Sequence, residues 1–272
     1  MKRLLKNEQA YPPVGDIVAF RTSGNPANPP LLLLHGYMVD GRMYDPLVEY
    51  MEEEFFVIQP DHRGYGQSAS MEGPYTVEQM ALDMVKLLNH LHIEKVNLMG
   101  YSKGGLIAQK LTLQYPDRVN AISLAVTFAH KVVSPLERMQ KRFLPSVIKR
   151  IGAEGMSRMM YDSIAGGMNF KPHEVRAFKK MLANCRDDVL LQTGFSLFKF
   201  DSREELHKIE QPALIIGGAE DFVVPVHHSK ILKEGIPNAK LKVFERAGHG
   251  MIFTHTEKLA RFTKNFFRKH NE

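Results

Sequence analysis

Three polar side chains, far apart in the chain, have types and settings suited to nucleophilic chemistry. Ser102 lies in Gly100-Tyr101-Ser102-Lys103-Gly104, after the apolar run Val96 to Met99 and before a helix-like segment, Gly105 to Gln114. A serine hydroxyl is a weak nucleophile. A sharp strand-to-helix turn holds it out of the structure and puts a helix N-terminus behind it. Gly100 and Gly104 suit such a turn, because side chains there would collide as strand and helix fold back on each other. Asp221 lies in the loop Gly217-Gly218-Ala219-Glu220-Asp221, and His249 in Ala247-Gly248-His249-Gly250-Met251. Each loop follows an apolar, strand-like run. A serine nucleophile needs a base, and the base needs an orienting acid. The three residues act together only if the fold gathers the ends of three strands.

An open parallel sheet does this, since its ligands bind beyond the carboxyl ends of the strands. The pattern predicts strands over Asp16 to Arg21, Leu31 to Leu34 and Phe55 to Gln59. The last two are continuously apolar, as in strands buried on both faces. Met43 to Glu53 reads as a helix. Thr76-Val77-Glu78-Gln79 reads as a capping box that opens an amphipathic helix through Met80, Met84, Leu87, Leu88 and Leu91. A further strand is predicted over Ala121 to Thr127. Strands alternating with helices in this way imply crossover units. The rhythm breaks near His130. Residues 131–205 are helix-like and Met-rich, with Pro135, Pro145, Gly166-Gly167 and Pro172 separating several helices. Strands resume at Ala213 to Ile216 and Lys240 to Phe244, and Glu257 to Lys269 forms a last amphipathic helix. The expected fold is α/β: a doubly wound, mostly parallel sheet with a helical lid insertion. Its core comprises residues 1–130 and 206–272, and its insertion residues 131–205.

Other groups belong to the same sheet edge. After Leu31 to Leu34 comes His35-Gly36-Tyr37-Met38. The backbone amide of Tyr37, with that of Lys103 at the start of its helix, is positioned to receive a developing oxyanion. The polar loop Asp61-His62-Arg63-Gly64-Tyr65-Gly66 follows the third strand. It, His35 and His62 read as structural hydrogen-bonding groups beside the site. Between Glu220 and Asp221, the Gly-x-x-Asp spacing favours Asp221 as the acid. His90 with His92 and His227 with His228 do not converge, so no metal site is expected. Lys103 is expected to carry its ammonium out to solvent, the alternative being that it lies near the site and favours an anionic substrate.

Taken together, the chain resembles an α/β-hydrolase-fold protein with a lid over nearly its whole length. The residues carrying the resemblance are His35-Gly36, Asp61-His62-Arg63-Gly64-Tyr65-Gly66, Gly100-Tyr101-Ser102-Lys103-Gly104-Gly105, Gly218-Ala219-Glu220-Asp221 and Gly248-His249. The chain order Ser, Asp, His is that of the fold. The resemblance implies Ser102 as nucleophile, His249 as base and then acid, and Asp221 as the group that orients the imidazole. It also implies a small-molecule substrate, a carboxylic ester, thioester or lactone, and no cofactor; the Met-rich segment suggests that the acyl part is apolar. Tyr37, Met38 and Met251 are the expected substrate contacts. The same triad serves carbon–carbon bond hydrolases, haloperoxidase-like enzymes and acyltransferases, and some family members are slow-turnover ligand receptors, so the fold alone does not choose.

Composition agrees with a globular enzyme. The chain has 272 residues, 44% hydrophobic and 24% charged, with a formal net charge of +6. Lys131 to Phe200 holds thirteen Lys and Arg against six Asp and Glu, net +7, while the remainder is nearly neutral. That segment reads as a solvated basic face, and nothing resembling a nucleic-acid motif accompanies it. The single cysteine, Cys185, precludes an intramolecular disulfide and, on the apolar side of a helical pattern, is expected to be buried. No signal peptide and no run long enough to span a membrane is apparent, so the protein is expected in the cytoplasm.

Overall fold

The computed structural model describes residues 8–131, 135–165 and 186–271. Eight strands form one sheet: β1 (Gln9–Tyr11), β2 (Phe20–Ser23), β3 (Pro30–Leu34), β4 (Phe56–Pro60), β5 (Val96–Tyr101), β6 (Val119–Ala125), β7 (Ala213–Gly218) and β8 (Ala239–Phe244). Their spatial order is β1-β2-β4-β3-β5-β6-β7-β8. The β1–β2 and β2–β4 pairs are antiparallel, and every later pair is parallel. The continuously apolar strands lie in the middle. Leu31 to Leu34, and all of β5 and β7, are buried. β8 ends the sheet, and its exposed Lys240 and Lys242 suit an edge that must not pair with another chain.

The helices are α1 (Asp45–Met51), α2 (Val77–His90), α3 (Lys103–Gln114), α4 (Pro135–Ala165), α5 (Asp187–Lys199), α6 (His227–Gly235), α7 (Met251–Thr254) and α8 (Thr256–Arg268). The β3-to-β4 crossover runs one way along the sheet and the later ones run the other. With right-handed crossovers, α1 therefore covers one face and α2, α3 and α6 the opposite face. Accordingly α1 packs against α8, and α2 against α3. At the start of α2, Thr76 Oγ1 accepts from the Gln79 amide at 3.2 Å. The Gln79 side chain turns instead to Asp83, at 3.0 Å, so only half of the expected capping box forms.

Two expectations need correcting. The second strand begins at Phe20 rather than Asp16. The residues before it make only a bridge, Val14 to Ile17, and the exposed β1 was not foreseen. Pro145 lies inside α4 and does not separate helices. The break comes at Gly152, whose φ of 63° and ψ of −172° no helix contains. Cys185, Gly166-Gly167 and Pro172 lie outside the described residues.

The α4 and α5 segment leaves the sheet after β6 and returns at β7, its parallel neighbour, with Leu124 opposite Ile215. Its two ends are joined at the base. His130 bridges Asp201, and Ser202 donates through its amide to the Ala129 carbonyl at 3.0 Å and through its hydroxyl to Gln109 Oε1 at 2.8 Å. α5 is also tied to the core where Val77 N–H donates to Ser196 Oγ at 3.0 Å.

Candidate active site

Ser102 joins β5 to α3 with φ 52° and ψ −118°, a conformation that costs a non-glycine residue about 1–3 kcal/mol and lasts only where its surroundings enforce it. The enforcement is steric. A Cβ on Gly104 would overlap the Leu34 carbonyl oxygen, and one on Gly100 would stand 2.6 Å from Gly105 Cα. The Ser102 backbone is also held by hydrogen bonds. Its N–H donates to the Ala125 carbonyl at 2.9 Å, and its carbonyl accepts from Thr127 Oγ1 at 2.7 Å and the Gly105 amide at 2.9 Å. The residue remains half-buried, within reach of a ligand.

Asp221 follows β7 and is wholly enclosed. One carboxylate oxygen accepts from the amides of Val223 and Val224 at 2.9 and 2.8 Å, which fixes the plane of the group. The other accepts from His249 Nδ1 at 2.8 Å. A carboxylate only accepts, so Nδ1 carries the imidazole proton and Nε2 is left as an acceptor. Nε2 faces Ser102 Oγ at 3.1 Å, and the hydroxyl donates to it. The structure thus brings Ser102, His249 and Asp221 into one unbroken hydrogen-bond chain. Such a chain can take a proton from the hydroxyl as its oxygen attacks and return it to a leaving group.

His249 is steadied by a residue the sequence did not reveal. The Tyr101 hydroxyl donates to the His249 carbonyl and accepts from the Ile252 amide at 3.3 Å, and the two rings stand edge to face 5.9 Å apart. Thr127 was missed likewise. Both act across the sheet, from positions whose role no local pattern marks.

On the other side of Ser102 lies the turn after β3. A Cβ on Gly36 would sit 3.8 Å from Ser102 Cβ, so this loop passes close beside Ser102. Tyr37 is half-buried, and its hydroxyl donates to the Leu190 carbonyl in α5 at 2.6 Å. Met38 and Met251, the other expected substrate contacts, present no surface. Met38, at φ 64°, and Met251 both turn into the hydrophobic core. Of the three, only Tyr37 keeps exposed surface.

Lys103 is a second correction. Its side chain does not reach solvent, having only 1% of its surface exposed. Nζ stands 3.8 Å above the Tyr65 ring and 4.0 Å from Met80 Sδ. Aromatic face and polarizable sulfur replace water around the charge. Nearby, His35 and His62 stack at 3.9 Å, both fully buried. Burial first, and the Lys103 charge among the lesser causes, holds both imidazoles well below their usual range. His35 makes the expected hydrogen bonds, but neither ring nitrogen of His62 has a partner.

The Asp61 loop is held by buried hydrogen bonds. Asp61 accepts from the Gly41 and Gln67 amides, each at 2.8 Å, and burial, with Asp40 beside it, pushes its carboxyl up to about 6. Arg63 forms a two-point ion pair with buried Asp83 at 2.6 Å. Among the described residues, no group of three or more His, Cys, Asp or Glu is placed to hold a metal ion. Among them, too, no helix is long and apolar enough to cross a membrane.

A strained serine between β5 and α3, with an acid after β7 and a histidine after β8, defines a class of hydrolase folds. The chain belongs to the alpha/beta hydrolase fold family, whose profile matches residues 29–150 and 195–256. Among curated relatives it is 28% identical to 3-oxoadipate enol-lactonase 2 of Acinetobacter baylyi, over 83% of this chain and 84% of that one. It is 27% identical to a poly(3-hydroxyalkanoate) depolymerase of Ectopseudomonas oleovorans, over 94% and 92%. Among solved structures, a thermophilic esterase from Thermogutta terrifontis superposes with a TM-score of 0.83 at 25% identity, covering 97% of this chain and 99% of the other.

Proposed function

We propose that the protein is a serine hydrolase that cleaves small or medium carboxylic esters and lactones through an acyl-enzyme. The hydrogen-bond chain Asp221–His249–Ser102, set on the strained turn, carries this reading. Ser102 Oγ attacks the carbonyl carbon as its proton passes to His249 Nε2. The amides of Tyr37 and Lys103 receive the tetrahedral oxyanion, a contribution worth about a hundredfold or more in rate for each donor. The intermediate collapses, His249 protonates the departing alkoxide, and an ester of Ser102 remains. In a second half-cycle, water gives its proton to His249 and attacks that ester, releasing the carboxylic acid and restoring the serine. With a lactone the alcohol stays tethered, and the product is a hydroxy acid. Relatives named as a lactonase, a polyester depolymerase and an esterase all open the same type of bond, which supports the ester or lactone class.

Residues 131–205 serve, in this reading, as a lid forming the outer wall of the acyl pocket, with Tyr37 at its base. In support, the segment leaves and rejoins neighbouring strands, Leu190 lies against Tyr37, and the family profile is interrupted between residues 150 and 195.

The test is activity profiling of wild type and Ser102→Ala over a panel of nitrophenyl esters, lactones and thioesters, with fluorophosphonate labelling. Wild type is expected to be labelled and active, and Ser102→Ala to be unlabelled and at least about 10⁴-fold slower. Equal hydrolysis by the two proteins would defeat the proposal.

A further inference from the structure

We infer that His35, which touches no substrate, is a positioning residue that aims the Tyr37 N–H at the oxyanion by gripping the Gly36 carbonyl of the same peptide unit. The inference rests on the serine-hydrolase reading above and names a further residue for that reaction.

The first part of the case is the imidazole's proton. His62 N–H lies 2.9 Å from His35 Nε2, and a backbone amide only donates, so Nε2 accepts. The ring is neutral, since burial chiefly, with the Lys103 ammonium second, disfavours its charged form. Its one proton is therefore on Nδ1, and Nδ1–H donates to the Gly36 carbonyl at 2.9 Å. The two contacts are compatible only in this tautomer. A charged ring, or the other tautomer, would set a second N–H against that of His62.

The second part is the covalent geometry of a peptide. The Gly36 carbonyl and the Tyr37 N–H belong to one planar trans unit and point in opposite directions. A hydrogen bond that draws the carbonyl toward His35 turns the Tyr37 N–H to the far side. The other groups in this corner leave His35 little freedom. His62 stacks on one face at 3.9 Å, and Tyr65 meets the ring edge to face at 5.4 Å. The turn is pinned on both flanks, by the Gly36 amide donating to Met43 Sδ at 3.3 Å and by the Tyr44 hydroxyl donating to the Leu34 carbonyl at 2.9 Å. Against this fixed frame, the His35 contact sets the plane of the peptide between Gly36 and Tyr37. It does so from a completely buried side chain, which is why the effect passes through the backbone.

Asn and Gln separate the two functions of the ring. An Asn amide places an N–H near the position of Nδ1, and a Gln amide reaches the position of Nε2. His35→Asn therefore keeps a donor for the Gly36 carbonyl but loses the acceptor for His62, whereas His35→Gln does the reverse. Both disturb the buried stack, so both are expected to lower the melting temperature comparably. Only His35→Gln is expected to lose kcat, by about 10- to 100-fold with KM within about threefold, and its fluorophosphonate labelling should slow in proportion. His35→Asn should stay within about threefold of wild type in kcat. Equal kcat losses in the two variants, or none in either, would overturn the proposal and leave His35 a structural residue. A second measurement needs no substitution. In ¹⁵N NMR of the wild-type protein, His35 is expected as the neutral Nδ1–H tautomer, and observation of the Nε2–H tautomer or of a charged ring would refute the assignment. Ser102→Ala run alongside separates the two readings. If it is inactive while His35→Gln retains full kcat, the positioning role alone fails. If it stays active, the serine mechanism fails.

Discussion

Glycine shapes both the Ser102 turn and the long helix α4, but the two sites constrain it differently. At Gly104 the obstacle is matter: a Cβ would overlap a strand carbonyl, and neither strand nor helix has room to retreat. At Gly152 the obstacle is conformation. A Cβ there would meet nothing closer than the Asp187 carboxylate at 3.4 Å, yet the φ of 63° with ψ of −172° suits glycine alone. The surroundings differ in the same sense. Strands β3, β5 and β7 bury nearly every side chain, whereas Met139, Phe143, Met159 and Phe195 in α4 and α5 stand about half exposed. The sheet core is determined by exclusion from every side. The helical segment is determined by backbone angles and a few contacts at its base, so the same substitution should have unequal consequences in the two.

The largest effect is expected at the turn. Gly104→Ala should destabilise the protein by about 4 kcal/mol or more, because packed backbone must move, and should abolish fluorophosphonate labelling. Circular dichroism melting with labelling would check it, and a well-folded, active variant would erase the distinction drawn above. The next effect comes with pH and arises chiefly in the core, with His255 and His270 near the surface, lowered mainly by burial, adding a smaller change of the same sign. His35 and His62 are neutral when folded but take up protons near pH 6.5 when unfolded, so stability falls as pH drops below that value. Asp61, pushed up to about 6, works in the opposite sense by binding its proton in the folded state. The net loss between pH 7.5 and 5.5 should be about 2 kcal/mol, measured by urea unfolding at each pH. Unchanged stability over that range would show that the histidine pair is not held neutral.

Smaller effects are expected where the halves meet and within the segment. Tyr37→Phe deletes only the hydroxyl bonded to Leu190, so steady-state kinetics should show kcat reduced about tenfold, the loss of one well-placed hydrogen bond. No change would mean that the helical half does not steady the oxyanion loop. Gly152→Ala should cost about 1–2 kcal/mol in thermal melting and leave kcat within about twofold. A loss matching that of Gly104→Ala would show the segment to be as rigidly determined as the core.

The distribution of what the sequence revealed follows the same division. The turn around Ser102 was readable because its constraint is local: two glycines and a serine between a continuous apolar strand and a helix. Asp221 and His249 were readable because each follows a strand whose pattern announces its end. The fate of the Lys103 side chain was not, since Tyr65 and Met80, which receive it, come from other elements and only the packed fold brings them close. Tyr101 and Thr127 escaped notice for the same reason. The helix punctuation failed differently. The punctuation predicts a break at Pro145 and none at Gly152, yet the structure bends at the residue that permits positive φ and the helix continues through the proline, despite its missing N–H and the crowding of its ring.

The hydroxyl of Tyr37, bonded to the Leu190 carbonyl, has a consequence for how such proteins diversify. One residue contributes its backbone to the turn beside Ser102 and its side chain to the anchoring of α5. Exchange of the helical segment for that of a relative, in evolution or by grafting, is therefore not a change of pocket alone. The incoming segment must offer a carbonyl where Leu190 offers one, or position 37 must change with it. The two regions would have to be changed as a matched pair.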